Sequence, residues 1–363
     1  MRHIVCFHLL NDYSGSPMVL RMALRGLLRK GYHVDLTTTK GGVLDELGTA
    51  NNLRRHTYSY QFSSNGMVTM LRYLWAQAYT FVVAFRWWKE KDIVFYINTL
   101  LPAGPAIAGR MMGKKVVYHY HENADAKGAF YKVLAWIMQK IAHRIVCVSD
   151  YQASMLQCQE KITVIPNALP EEFAEKMTPD GEAAFERKNI LMLSSLKTYK
   201  GTDEFIRLAQ QMPEYQFTLV VNDEEKAIRQ YIEERRLEIS GNLRLYPRQK
   251  DVTEFYRTAS IVMNLTNKEL AVETFGLTAL EAMTAGLPVI GPTVGGIAGI
   301  IEDGVNGYKI DCQETERIKA AIRNMLKDRG LYLELAHGAI ETSKRYSEPR
   351  MVEAIEKALD FSQ

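Results

Sequence analysis

Apolar runs and amphipathic stretches alternate along this chain in a regular rhythm. Residues 2–10, 32–39, 92–98, 114–122, 145–150 and 161–167 each hold a compact apolar run rich in β-branched and aromatic side chains. That is the pattern of a strand buried on both faces. Between the first two, Met18 to Lys30 places apolar residues at helical spacing, with Arg21, Arg25 and Arg29 in a row, and Gly31 closes the helix. Strand, loop, helix and strand in this order predict a βαβ unit. Its loop, Asn11 to Pro17, is rich in turn formers and holds Gly15. The rhythm starts afresh at Asn189, with further buried runs at 189–194, 217–221, 259–264 and 288–291. Residues 168–187, rich in Glu, Pro and polar side chains, read as a linker. The expectation is an α/β protein with two doubly wound domains, residues 1–167 and 188–345.

A different pattern occupies Gly66 to Lys91, a long helical region crowded with Tyr73, Trp75, Tyr79, Phe81, Phe85, Trp87 and Trp88. Leu71, Leu74, Trp75, Ala78, Phe81, Val82 and Phe85 form a three–four repeat, so most of this stripe is expected in the core. The remaining face carries Arg72, Arg86 and Lys89, with Trp87 or Trp88 nearby. That face also suits a helix lying on a surface of anionic lipid headgroups.

Composition changes the picture in three places. At 363 residues the chain is long for one core, which supports two domains. The net charge of +3 hides an imbalance: up to Ile165 there are 20 Lys and Arg against 10 Asp and Glu, and afterwards 25 against 32. A basic half and an acidic half signal partners rather than folding. Cys6, Cys147, Cys158 and Cys312 are scattered, two of them in buried runs, so reduced thiols and a cytoplasmic location are expected. Met1 to Leu10 reads as a first strand rather than a signal peptide. The apolar stretch from Arg72 to Arg86 is broken by Gln77 and is short of the roughly 20 residues a spanning helix needs. A peripheral position on the inner membrane face stays compatible with this.

Candidate chemistry concentrates between Glu273 and Gly296, in ETFGLTALEAMTAGLPVIGPTVGG. Glu273 precedes the aromatic–glycine turn Phe275-Gly276, and a short apolar helix then carries Glu281. Gly286, with Pro288 close behind, marks the helix end. A helix N-terminus near Leu277 and Thr278 offers unpaired N–H groups and the positive end of a dipole, which suits a phosphate. Gly276 lets a ligand approach the backbone closely. Seven residues separate Glu273 from Glu281; as helix that interval spans about 12 Å. Two carboxylates so spaced can grip opposite ends of one elongated ligand, with its phosphates between them.

This segment resembles the E-x7-E signature of family-four retaining glycosyltransferases, which have the GT-B fold, and the resemblance extends weakly from the first strand to the last helix. It implies two Rossmann-like domains facing each other across a cleft, with a final helix at about 346–363 crossing back onto the first. It implies that Glu273 holds donor-sugar hydroxyls and Glu281 the ribose. Lys200, Gly15 and the backbone at Phe275, Gly276, Leu277 and Thr278 would hold the diphosphate. His119 and His121 alternate onto one side at a strand's C-terminal end. His121-Glu122 falls on the family's strand-end histidine, near the reacting sugar. Lys200-Gly201 matches the family's Lys-Gly, whereas Ser194-Ser195 stand where Gly-Arg is usual and Gly15-Ser16 where two glycines are. The run Phe217–Asp223 lacks the family's glycine turn, and Leu243–Lys250 covers the region that usually meets the base.

Other chemistries lack their motifs. There is no G-x-G-x-x-G after the first strand, no G-x-S-x-G elbow, no H-E-x-x-H helix and no Walker A loop. A D-x-D metal pair is also missing. The expectation is metal-independent transfer, with retention, of a sugar from a UDP- or GDP-linked donor to a glycan or lipid-linked acceptor. No cofactor and no nucleic acid enters this reading, and an anionic membrane surface is a candidate partner. Two rivals are a nucleotide-sugar epimerase and, given the missing arginine, a non-catalytic nucleotide-sugar-binding scaffold.

Overall fold

The computed structural model describes residues 3–361. Apolar runs become parallel strands, because helices on both sheet faces leave no strand face in water. The first sheet comprises β1 (His3–Phe7), β2 (His33–Thr38), β3 (Leu53–Thr57), β4 (Ile93–Asn98), β5 (Lys115–Tyr120), β6 (Arg144–Cys147) and β7 (Ile162–Val164). Its helices are α1 (Gly15–Arg29), α2 (Gly66–Ala84), α3 (Ala103–Met111), α4 (Ala124–Lys127), α5 (Ala129–Ile141) and α6 (Asp150–Ser154). The second unit opens with α7 (Glu171–Lys176) and α8 (Gly181–Arg187). It continues through β8 (Asn189–Ser194), α9 (Thr202–Gln211), β9 (Gln216–Val221), α10 (Glu225–Arg235), β10 (Leu243–Tyr246), α11 (Thr253–Arg257) and β11 (Ile261–Met263). It closes with α12 (Leu277–Thr284), β12 (Val289–Gly291), β13 (Gly307–Lys309), α13 (Thr315–Lys327) and α14 (Arg329–Ser343). The last helix, α15 (Glu348–Leu359), belongs to the first unit again.

The first sheet runs β3-β2-β1-β4-β5-β6-β7 and the second β10-β9-β8-β11-β12-β13, with parallel pairings throughout. Strand order therefore reverses between β1 and β4 in one sheet and between β8 and β11 in the other. The carboxyl ends of the strands at such reversals are where open α/β sheets bind ligands.

Three expectations meet a different structure. Residues 168–187, expected as a linker, carry α7 and α8 and fold with the second unit, where Ala184 and Phe185 are buried. Helix α1 starts at Gly15 rather than Met18, with Pro17 in its first turn, where the missing N–H costs nothing. Most of the stripe expected to bury α2 faces outward: Leu71, Leu74, Trp75 and Val82 are exposed, Phe81 and Phe85 do pack on the core, and the buried face is Tyr73, Ala76, Thr80, Val83 and Ala84. A small residue decides this. At Gly104 of α3 a Cβ would come within 2.3 Å of the Gln77 carbonyl oxygen, so the two helices meet closely at a glycine. The Gly104 N–H also donates to Gln77 Oε1 at 2.8 Å.

Helix α15 lies on α1. A Cβ at Gly26 would come within 2.5 Å of Val352, and the buried carboxylate of Glu348 takes two hydrogen bonds from Arg25, at 2.8 and 2.9 Å. Arg144, at the start of β6, donates to the Ala358 carbonyl at 2.6 Å, tying the other end of α15 to the sheet.

Candidate functional site

In the second unit the loops after β8 and β11 come together at the strand-order reversal. Gly201 takes a left-handed conformation (φ 73°), and a Cβ there would lie 2.2 Å from the Leu265 carbonyl oxygen. Only glycine permits that approach without strain. It brings Lys200 to Glu273, whose Oε1 accepts from Lys200 Nζ and, at 3.2 Å, from Thr266 Oγ1. Burial pushes the Glu273 carboxyl up, but the Lys200 charge and hydrogen bonds from Lys200, Thr266 and Asn264 outweigh it and hold it below the usual range. The Gly295-Gly296 loop grips the same residue from its backbone. The Gly296 N–H donates to the Glu273 carbonyl at 2.8 Å, and Gly295 (φ 103°) has no room for a Cβ, which would meet that oxygen at 2.6 Å.

Helix α12 follows directly. Its cap is Gly276 (φ 97°), which brings no side chain to the first-turn amides. The first helical bonds run from Ala279 and Leu280 to the Gly276 carbonyl, so the amides of Leu277 and Thr278 precede the ladder. The Phe275 ring is buried against Tyr346, 5.8 Å between centroids, which leaves its backbone at the helix start. Glu281, about one turn in, accepts a hydrogen bond from the buried Tyr256 hydroxyl. Burial nevertheless lifts the Glu281 carboxyl to about 7.

Where the expected Gly-Arg is replaced, the chain satisfies itself. Ser194 Oγ and Thr202 Oγ1 are 2.9 Å apart, Thr202 Oγ1 donates to the Ser195 carbonyl, and the Leu196 N–H goes to Asp223. Beside this a second ion pair, Lys268–Asp311 at 2.6 Å, is buttressed by Thr293. Among the described residues no group of three or more His, Cys, Asp or Glu is arranged to hold a metal ion.

In the first unit the reversal between β1 and β4 gathers a polar chain that the motifs did not reveal. His8 follows β1, Asn98 ends β4, and His121 follows β5. Asn98 bridges them: its Nδ2 donates to His8 Nδ1 at 3.0 Å, and its Oδ1 accepts from His121 Nε2 at 3.1 Å. The His119 ring lies 4.2 Å from that of His121. Burial, then the neighbouring imidazoles His119 and His8, keep His121 neutral far below the usual histidine range. Glu122 is structural, taking the Leu100 N–H on both carboxylate oxygens at 3.2 Å. Thr99 is left-handed (φ 74°), a strained state for a β-branched residue, and it turns Leu100 toward that carboxylate. Gly15 stands at the first position of α1, exposed. A polar residue closing an apolar run was the one signal for His8 and Asn98. Tyr256 and Thr266 had none.

Two family models match in tandem, one described as Glycosyltransferase Family 4 over residues 13–173 and one as Glycosyl transferases group 1 over residues 174–346. The chain belongs to glycosyltransferase family four. Among relatives in the family, D-inositol 3-phosphate glycosyltransferase of Acidothermus cellulolyticus is 36% identical over 104 residues, 29% of this chain and 22% of its own. Trehalose synthase of Thermococcus litoralis is 26% identical over 212 residues, 52% of this chain and 50% of its own. The chain thus spans half or less of these relatives. Solved structures extend the likeness in fold to nearly every residue. HepE of Anabaena, crystallised with UDP-glucose, superposes with a TM-score of 0.78 at 19% identity over 99% of both chains. WaaG, a glycosyltransferase involved in lipopolysaccharide biosynthesis, gives 0.70 at 16% over 99% of this chain and 100% of its own. Two parallel sheets with these neighbours make the fold GT-B.

Proposed function

We propose that this glycosyltransferase moves a sugar, with retention and without a metal ion, from a nucleoside diphosphate sugar to a glycan or lipid-linked acceptor. The observation that carries the reading is the α12 N-terminus, with the Lys200–Glu273 pair beside it and Glu281 about one turn in. First-turn amides and one lysine offer fixed positive potential to a leaving diphosphate. Glu281 accepts the ribose hydroxyls and Glu273 those of the sugar. Within the first unit, Gly15 opens a helix whose N-terminus suits a phosphate, and His121 is held as a neutral imidazole at a strand end that suits a sugar. Solved relatives bound to UDP and UDP-glucose support a uridine donor. Solved structures of glycosyltransferases from lipopolysaccharide synthesis support a lipid-linked acceptor.

Titration calorimetry with UDP and GDP, followed by transfer assays in EDTA, tests this reading. Glu281→Ala should weaken binding of the bare nucleotide, while Glu273→Ala spares binding and depresses transfer. Equal effects of both on nucleotide affinity count against the assignment, and metal-reversible loss of transfer under EDTA would falsify the metal-free step. Donor turnover without any acceptor would favour the epimerase.

A further inference from the structure

Helix α2 is apolar on every side and only one side is covered. Its outward face presents Met67 (75% exposed), Leu71 (62%), Leu74 (54%), Trp75 (54%) and Val82 (69%) at three- and four-residue spacing, with Ala78 between them. Trp75 stacks on Tyr79 with centroids 5.3 Å apart, so two half-wet aromatic rings form one flat platform. Large exposed apolar faces of this kind mark interaction surfaces. Arg72 and Tyr79, two turns apart, line one edge of the stripe, and Arg86 and Lys89 follow, exposed, in the turns just beyond α2. Among the described residues Arg72, Arg86 and Lys89 have no carboxylate partner: Arg72 donates to the Gln61 carbonyl, and Arg86 lies beside His56. No Asp or Glu occurs between Glu46 and Glu90. Helix α5, whose Phe130 ring meets Tyr73 of α2 at 5.2 Å, also exposes Trp136 and Val133 and carries Lys140, while its Lys132 is paired with Asp125 at 3.3 Å.

We propose that the outward face of α2 is a membrane-docking surface, inserting Leu71, Leu74, Trp75 and Val82 at the headgroup level of an anionic bilayer while Arg72, Arg86 and Lys89 meet lipid phosphates. Charge decides between occupants. A second copy of the chain would set these cations against their own kind, whereas anionic lipid supplies the missing counter-charge. Aromatic rings half in and half out of water favour the same interface. No helix among the described residues is long and apolar enough to cross a membrane, so α2 lies on the bilayer. The proposal rests on the acceptor being membrane-borne, and it deepens that reading by naming the surface.

Flotation with phosphatidylcholine vesicles, with and without phosphatidylglycerol, tests it on the full chain. The protein should float with the anionic vesicles, and less as salt rises. Neutralising Arg72 or Lys89 to Gln should each cost about five-fold in partitioning. Leu71→Glu/Val82→Glu should lower it by more than ten-fold while the thermal midpoint and UDP affinity stay unchanged, since both side chains are already in water. Wild-type protein that stays unbound at low salt, or a Leu71→Glu/Val82→Glu variant that floats like wild type, overturns the proposal. So does a concentration-dependent dimer by light scattering that this double variant breaks, which would assign the face to a second copy. Loss of flotation with UDP binding intact counts against the surface alone, and the reverse counts against the donor site alone.

Discussion

Glu281 carries a sign that can be worked out. Burial holds its folded carboxyl near 7, above the ordinary 4.5, against the Tyr256 hydrogen bond that lowers it. The folded state therefore grips this proton more tightly than the unfolded one. The resulting stability is complete below about pH 4.5 and is lost as pH rises to about 7, by about 3 kcal/mol. Denaturant midpoints across that window should fall for the wild type, and Glu281→Gln should flatten the curve. Nucleotide affinity should run the other way, rising through pH 7 as the carboxylate forms to accept ribose hydroxyls. Lys200 makes the second residue-scale prediction. Replacing it with Met leaves Glu273 partly buried with its nearest cation gone, which should cost about 1–3 kcal/mol and raise the Glu273 carboxyl. Transfer should fall about 100- to 1000-fold. Lys200→Met/Glu273→Gln should recover the stability and none of the rate; a single variant with near-normal kcat would move the phosphate elsewhere. Glu273, Gly276, Glu281 and Gly286 were legible because their meaning lies in spacing along one short stretch. Tyr256, Thr266, His8 and Asn98 were not, because strand order alone brings them to their partners.

At the scale of elements, the site is held by loops that glycine lets touch. Gly295→Ala should force apart the two backbones that meet at the Glu273 carbonyl, at a left-handed position besides. A loss of about 2 kcal/mol or more in unfolding free energy is expected, with transfer reduced further than nucleotide binding. Gly296→Ala, at an ordinary helical φ of −62°, should be mild, and comparable damage from both would mean that the loop's position matters less than argued. Helix α2 shows where periodicity stops. A three–four repeat tells which side chains share a face, and in a helix apolar all round it does not tell which face a neighbour covers. That choice was made by Gly104, whose missing side chain lets α3 approach at Gln77, and glycine carries no hydrophobic signal. The βαβ rhythm read more easily, since buried parallel strands are continuous apolar runs whatever their order in the sheet. Their order, and hence both reversals, was carried by the resemblance alone.

For the whole molecule, the first unit is built from both ends of the chain, and Gly26 is the seat that α15 needs. Alanine is the better helix former by about 1 kcal/mol, yet Gly26→Ala should destabilise by about 1–3 kcal/mol because its methyl meets Val352. Val352→Ala in the same chain should recover part of that loss. Thermal unfolding of the three proteins checks it, and a Gly26→Ala protein as stable as wild type would show that α15 docks more loosely. The same clasp sets a timetable during synthesis. The α1 face that α15 covers leaves the ribosome early, but its cover is made only after the whole intervening unit. At about 5–20 residues per second the uncovered apolar surface waits for roughly 15–65 s. In that interval the nascent first unit is a client for chaperones, and the intervening unit can fold before the first is complete.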